Sequence, residues 1–180
     1  MSVYTNPSHS TAGETAAYVA ALLDLVGPRN PLVVLAATPD AAVSAVANMS
    51  DPGLRQPENP GKWSIAQILQ HLADSEIVFS WRLRLILAQD RPALTGYDQD
   101  LWATRLGYAE ADPTTALQIF RLLREENLRL LRRASPADLT RVGIHAERGE
   151  ESIEHLQKLY AGHDLLHLRQ IGRVRDAVST

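Results

Sequence analysis

Apolar residues along this chain recur at spacings of three and four, in separated stretches bounded by capping and breaking residues. Thr11 to Val26 sets Ala17, Ala20, Ala21 and Leu25 at helical spacing, and Gly27-Pro28 ends it. Pro31 to Met49 is a second helical piece, expected to bend or break at Thr38-Pro39 because proline cannot continue the hydrogen-bond ladder. Asp51 to Gly61, with its prolines and glycines, reads as a loop. Ser64 is then an N-cap, and Gln67 three residues on completes a capping box. From there Ile65, Ile68, Leu69, Leu72, Phe79, Leu83, Ile86 and Leu87 sustain one apolar face to about Gln89.

After a connection with a short helix around Gln99 to Leu106, Asp112 caps a third long helix with Pro113 at its first position. Ala116, Leu117, Phe120, Leu123 and Leu131 give its core side, and Ser135-Pro136 begins another turn. Arg141 to Gly149 reads as a polar loop, and no strand pattern emerges anywhere. The last stretch, Glu151 to Val174, aligns Ile153, Leu156, Tyr160, His163, His167, Ile171 and Val174 along one stripe. The expectation is an all-α, antiparallel four-helix bundle with one or two short extra helices, residues 1–180 forming one domain.

Composition narrows the possibilities. A hydrophobic fraction of 45% and a charged fraction of 22% are those of an ordinary globular chain. The formal charge of −3 offers no broad basic surface for nucleic acid, and the arginines between Arg121 and Arg133 alternate with glutamates as on a solvated helix face. There is no cysteine, which excludes disulfides, thiolate ligands and a cysteine nucleophile and is compatible with a cytoplasmic location. The first ten residues lack the pattern of a signal peptide, and Pro31 to Met49 is too interrupted for a membrane span.

The candidate chemistry lies on the stripe of the last helix. His163 and His167 stand one turn apart, facing the core, where two imidazoles can grip a single ion. The plain alternative is a pair of core histidines, each satisfied by its own partner. His71, on the flank of its helix's apolar face and otherwise a boundary residue, is the only other histidine on a long predicted helix. Three histidines would leave an open coordination position, the catalytic pattern, whereas a fourth ligand such as Glu76 would close the site and make a non-catalytic metal-binding bundle. Glu76 falls near the centre of the apolar face of its helix and is costly to bury alone. It is a candidate partner of the site or acid/base group, the alternative being an ion pair with an arginine. Asp74 lies opposite the apolar stripe and is expected in solvent; His155 is off the inner stripe, and His9 and His145 read as surface loop residues. Nucleophile-elbow, phosphate-loop, dinucleotide and His-Glu-x-x-His motifs are all absent.

Two blocks, GKWSIAQILQHLADSEIVFSWRLRLILAQDRPALTGYDQDLWA from Gly61 and GIHAERGEESIEHLQKLYAGHDLLHLRQI from Gly143, resemble the DinB-like proteins, the YfiT type in particular. That resemblance implies a four-helix bundle, commonly a homodimer, binding zinc or nickel through His71, His163 and His167. It implies metal-dependent hydrolysis, or transfer of a low-molecular-weight thiol such as bacillithiol to an electrophilic small molecule. The family's segments often carry histidine where this chain has Glu76.

Overall fold

The computed structural model describes residues 11–178. Its elements run α1 (Ala12–Val26), α2 (Pro31–Val46), α3 (Asp51–Arg55), α4 (Ile65–Ala88), β1 (Ala93–Leu94), α5 (Gln99–Arg105), α6 (Pro113–Arg133), α7 (Pro136–Leu139), β2 (Val142–His145), β3 (Gly149–Ser152) and α8 (Ile153–Val178). Local chemistry sets the boundaries. Ser64 and Gln67 form the predicted reciprocal capping box at the start of α4. The Asp112 carboxylate accepts from the backbone N–H groups of Thr114 and Thr115, with Pro113 in the first turn of α6. Asp51 to Arg55, expected as loop, closes one helical turn because Ser50 caps it.

Pro39 does not break α2, which runs unbroken through it. Proline has no N–H to give the carbonyl four residues earlier. That carbonyl, on Leu35, accepts instead from Nη1 of Arg124 on α6 at 2.8 Å.

The bundle is made by α2, α4, α6 and α8. Helix α4 packs against α6 and α8, and α2 packs against the same two. The helices consecutive in the bundle's chain order, α2 and α4, therefore sit across a diagonal, as do α6 and α8. The connections crossing those diagonals carry the small elements α3, α7, β2 and β3. Helix α1 lies outside, on α8. At that crossing a Cβ built on Gly162 would lie 2.1 Å from the Leu22 carbonyl oxygen, so the two backbones meet with room for glycine alone.

The fold is the expected helical bundle, and a small three-stranded sheet, ordered β1-β2-β3, corrects only the reading that no strand is present. β1 pairs parallel with β2, which forms a hairpin with β3, Ile144 opposite Glu150. Gly149 turns the hairpin with a φ of +77°. Arg141, at its base, donates to the carbonyls of Ile86 (2.8 Å) and Gln89 (2.6 Å) and so closes the C-terminus of α4. The sheet moves Glu151 into β3, so the final helix starts at Ile153.

The interior divides into two apolar clusters. One gathers Leu22, Leu35, Phe79, Leu83, Leu128, Leu156 and Tyr160. The other gathers Ile65, Ile68, Leu72, Phe120, Ile171 and Val174. On α4 and α8 the stretch separating them carries Ser75, Glu76, His163, Asp164 and His167, so a polar layer crosses the middle of the bundle. No single described helix is long and apolar enough to cross a membrane. The α1–α2 pair passes that test only when taken together across an 86° bend.

Candidate metal centre

The polar layer brings together the three histidines singled out in the sequence. His71 projects from α4, and His163 and His167 from successive turns of α8. Their ligand-capable nitrogens all lie within 4.8 Å of one another. His163 Nε2 is the middle atom, 3.0 Å from His71 Nε2 and 3.1 Å from His167 Nε2. His71 is fully buried and His167 nearly so, while His163 is half-buried. Trp63, just before the N-cap of α4, lies against the His71 ring at a centroid separation of 5.1 Å.

Hydrogen bonding fixes one tautomer. Gln170 Oε1 is 2.8 Å from His167 Nδ1. An amide oxygen only accepts, so Nδ1 carries the proton and Nε2 presents a lone pair to the cluster. His163 Nε2 then has a bare nitrogen on one side and His71 Nε2 on the other, and a ring nitrogen cannot donate and accept at once. A shared cation resolves this, since all three lone pairs can point at it. The spacing is compatible with that arrangement: two nitrogens that each bind one ion at about 2.0–2.1 Å lie no more than about 4 Å apart. Among the described residues the Nδ1 atoms of His71 and His163 have no partner, and Gln170 is the side chain outside the trio that orients one of its histidines by hydrogen bond.

Electrostatics keeps the trio uncharged. Burial, then the neighbouring imidazoles, holds His71 and His163 well below the ordinary histidine value. Burial brings His167 down to about 4 against the opposing pull of Gln170. Neutral imidazoles are the form that binds metal. In the unfolded chain these histidines titrate near 6.5. Between that value and about 4 the unfolded chain therefore takes up protons that the folded one refuses, and stability falls as pH falls. We expect the urea midpoint of chelator-treated protein to drop between pH 7 and pH 5. An unchanged midpoint would mean that the folded imidazoles titrate normally.

Glu76 lies in the same layer but points into an ion cluster. It accepts from Arg124 Nε (3.0 Å) and Nη2 (2.7 Å) and from Asn127 Nδ2 (2.7 Å). The other side of Arg124 holds Asp164 at 2.5 Å, immediately after His163 in α8. Arg124, Glu76 and Asp164 are each 1% exposed. Arg124 thus departs from the expected solvated arginine face. It falls on the inner stripe Phe120, Arg124, Leu128, Leu131, a spacing visible in the sequence. Asp74, expected in solvent, is buried and accepts from the Tyr108 hydroxyl at 2.7 Å.

A cavity of about 90 Å³ opens beside His163, between α1, α4, α8 and the hairpin, lined by Tyr18, Leu22, Ser75, Arg82, Tyr97, His145 and Tyr160 among others. His145, expected on the surface, is 2% exposed, because its position at the end of β2 turns it inward. His9 lies outside the described residues.

Comparison with known proteins agrees with this architecture. The family profile described as the DinB superfamily matches residues 35–171. A Bacillus subtilis protein provisionally named metal-dependent hydrolase YfiT is 30% identical over 139 residues, 77% of this chain and 78% of that one. An Oceanobacillus iheyensis protein of the same provisional description is 30% identical over 128 residues, 71% of this chain and 74% of its own. The solved structure of YfiT, reported to have an unusual four-helix bundle topology, covers 94% of this chain and 91% of its own at a TM-score of 0.75 and 26% identity. With the family profile spanning most of its length, this chain belongs to the DinB superfamily.

Proposed function

We propose that this chain is a divalent-metal-dependent enzyme that activates a low-molecular-weight thiol, bacillithiol-like, for transfer to an electrophilic small molecule. The observation that carries the reading is the convergence of three uncharged imidazole nitrogens next to a cavity of mixed polarity. His71, His163 and His167 would hold the ion, with zinc and nickel the candidates by ligand type. When bound, the ion supplies undiminished positive charge that favours the deprotonated form of a coordinated thiol or water. The protein's own part is to exclude solvent, orient the nucleophile and seat the electrophile against Tyr18, Tyr97 and Tyr160. Glu76 acts here as a positioning residue, holding Arg124 and through it Asp164, the neighbour of His163.

Thiol transfer leads because, among the described residues, the buried carboxylates of the polar layer are all engaged and none hydrogen-bonds to the histidines to take a proton from water. Glu76 and Asp164 are tied to Arg124, and Asp74 to Tyr108 and Gln70. A thiol, with an ordinary pKa of about 8.5, needs far less help than water. Hydrolysis is the second reading, favoured by the names of the relatives.

The test is mass-spectrometric detection of conjugates between a chlorinated model electrophile and several thiols, bacillithiol included. Metal-loaded protein should exceed the no-enzyme rate, and chelation should return it to background. Background conjugation with every thiol, together with metal-dependent ester hydrolysis, would assign the chain to the hydrolases.

A further inference from the structure

Beside the histidine trio, the cavity holds a second group of buried polar atoms with an unmet need. Arg82 (5% exposed) and His145 (2% exposed) both line it. The backbone N–H of Glu147 donates to His145 Nδ1 at 3.2 Å. A neutral imidazole has one lone pair and one N–H, so the proton sits on Nε2. Nη2 of Arg82 lies 3.2 Å from that same Nε2, and a guanidinium only donates. Two donors thus face each other with no acceptor between them. Arg82 Nε, also buried, has no partner among the described residues. What holds the guanidinium is the Thr95 carbonyl on Nη2 (2.7 Å) and, at longer range, the Tyr160 hydroxyl on Nη1 (3.3 Å).

Among the described residues no carboxylate forms an ion pair with Arg82, although the buried Glu151 acts on it through space. The other cation of the cavity wall, the partly buried Arg148, takes up Glu151 through two hydrogen bonds of 2.6 and 3.0 Å. Glu147 lines the cavity but is exposed. Among the described residues no carboxylate hydrogen-bonds to Arg82. A buried cation in contact with neutral acceptors only is an expensive arrangement unless an anion completes it.

We propose that Arg82 and His145 form a subsite for a carboxylate group of the substrate. One carboxylate oxygen accepts from both Arg82 Nη2–H and His145 Nε2–H, and the single negative charge balances Arg82. A phosphate monoester brings a charge of about −1.5 to −2 and would leave part of it buried without a counterion. The substrate class this selects is a small carboxylic acid whose body lies among Tyr18, Tyr97 and Tyr160 and whose far end reaches His163.

The inference rests on taking this cavity as the substrate site, so its test omits the metal. Propionate is titrated into chelator-treated full-length protein, with calorimetry and imidazole NMR as readouts. We expect saturable binding that shifts the His145 resonance, and affinities at least about tenfold weaker for propionamide, which loses a charge-assisted hydrogen bond, and for methyl phosphate, whose extra charge has no counterion. Arg82→Gln should weaken propionate by about tenfold or more, and Arg148→Gln should leave it within about twofold, because that guanidinium is already paired. Equal binding of propionate and propionamide, an unmoved His145 resonance, or an unaffected Arg82→Gln variant would each overturn the subsite. If Arg82→Gln loses helicity, the His145 resonance of the parent protein still decides. Propionate binding that persists in a protein without metal-dependent turnover would defeat the enzyme reading and leave the subsite standing.

Discussion

His163→Ala is expected to leave the purified protein with about a tenth or less of the parent's divalent metal, since even residues supporting a ligand are commonly worth ten- to a hundredfold in affinity. His163 is the common neighbour of the other two ring nitrogens, at 3.0 and 3.1 Å. Without it His71 and His167 remain on separate helices as a two-ligand remnant. The fold should survive, because the apolar clusters on either side of the polar layer do not depend on the ligand. Elemental analysis of protein purified without a nickel column, beside a circular dichroism melt, checks both halves. Metal retained in full would show that the ion sits elsewhere, and an unfolded apo-protein would make the metal structural.

Arg124→Met should be the most damaging single substitution to stability, at about 3–5 kcal/mol, the usual cost of breaking a buried ion pair. The methionine fills much of the volume but leaves Glu76 and Asp164 buried as uncompensated carboxylates. It also strips the Leu35 carbonyl of its donor, which Pro39 cannot replace. Adding Glu76→Gln and Asp164→Asn should recover a substantial part of the loss, since charge rather than volume is then removed. Urea unfolding of the single and triple variants measures this. A triple variant no more stable than Arg124→Met would place the cost in packing instead.

These two sites show where the sequence was informative. The long helices were legible because each repeats an apolar face over several turns between strong caps, as at Ser64 and Asp112. The inward pair His163 and His167 follows from the same periodicity, whereas His71 lies on the flank of its helix's apolar face and joins them in the sequence reading only as the one other histidine on a long predicted helix. Arg124 was hidden by composition. Its neighbours Glu125, Glu126 and Arg129 are surface charges, and only its spacing from Phe120 and Leu128 marked it as inward. The hairpin was hidden by length. Val-Gly-Ile-His and Gly-Glu-Glu-Ser are four residues each, too short to display alternation, and two of the residues in the second are charged. His145 therefore reads as a surface loop residue and Glu151 as the start of the last helix, although the pairing of β2 with β3 turns both inward.

Gly162 bears on how this scaffold can diversify. A methyl group at that position would collide with the backbone of α1, and no rotamer change relieves a backbone collision. The residue after it is His163, and the residue it faces, Leu22, belongs to the cavity wall. The separation between ligand and wall is thus closed to gradual adjustment at this level of the bundle. New substrate preferences have to be written in side chains at the rest of the wall, at Tyr18, Val19, Tyr97 and Leu159, where a change of size alters the cavity without moving the histidines.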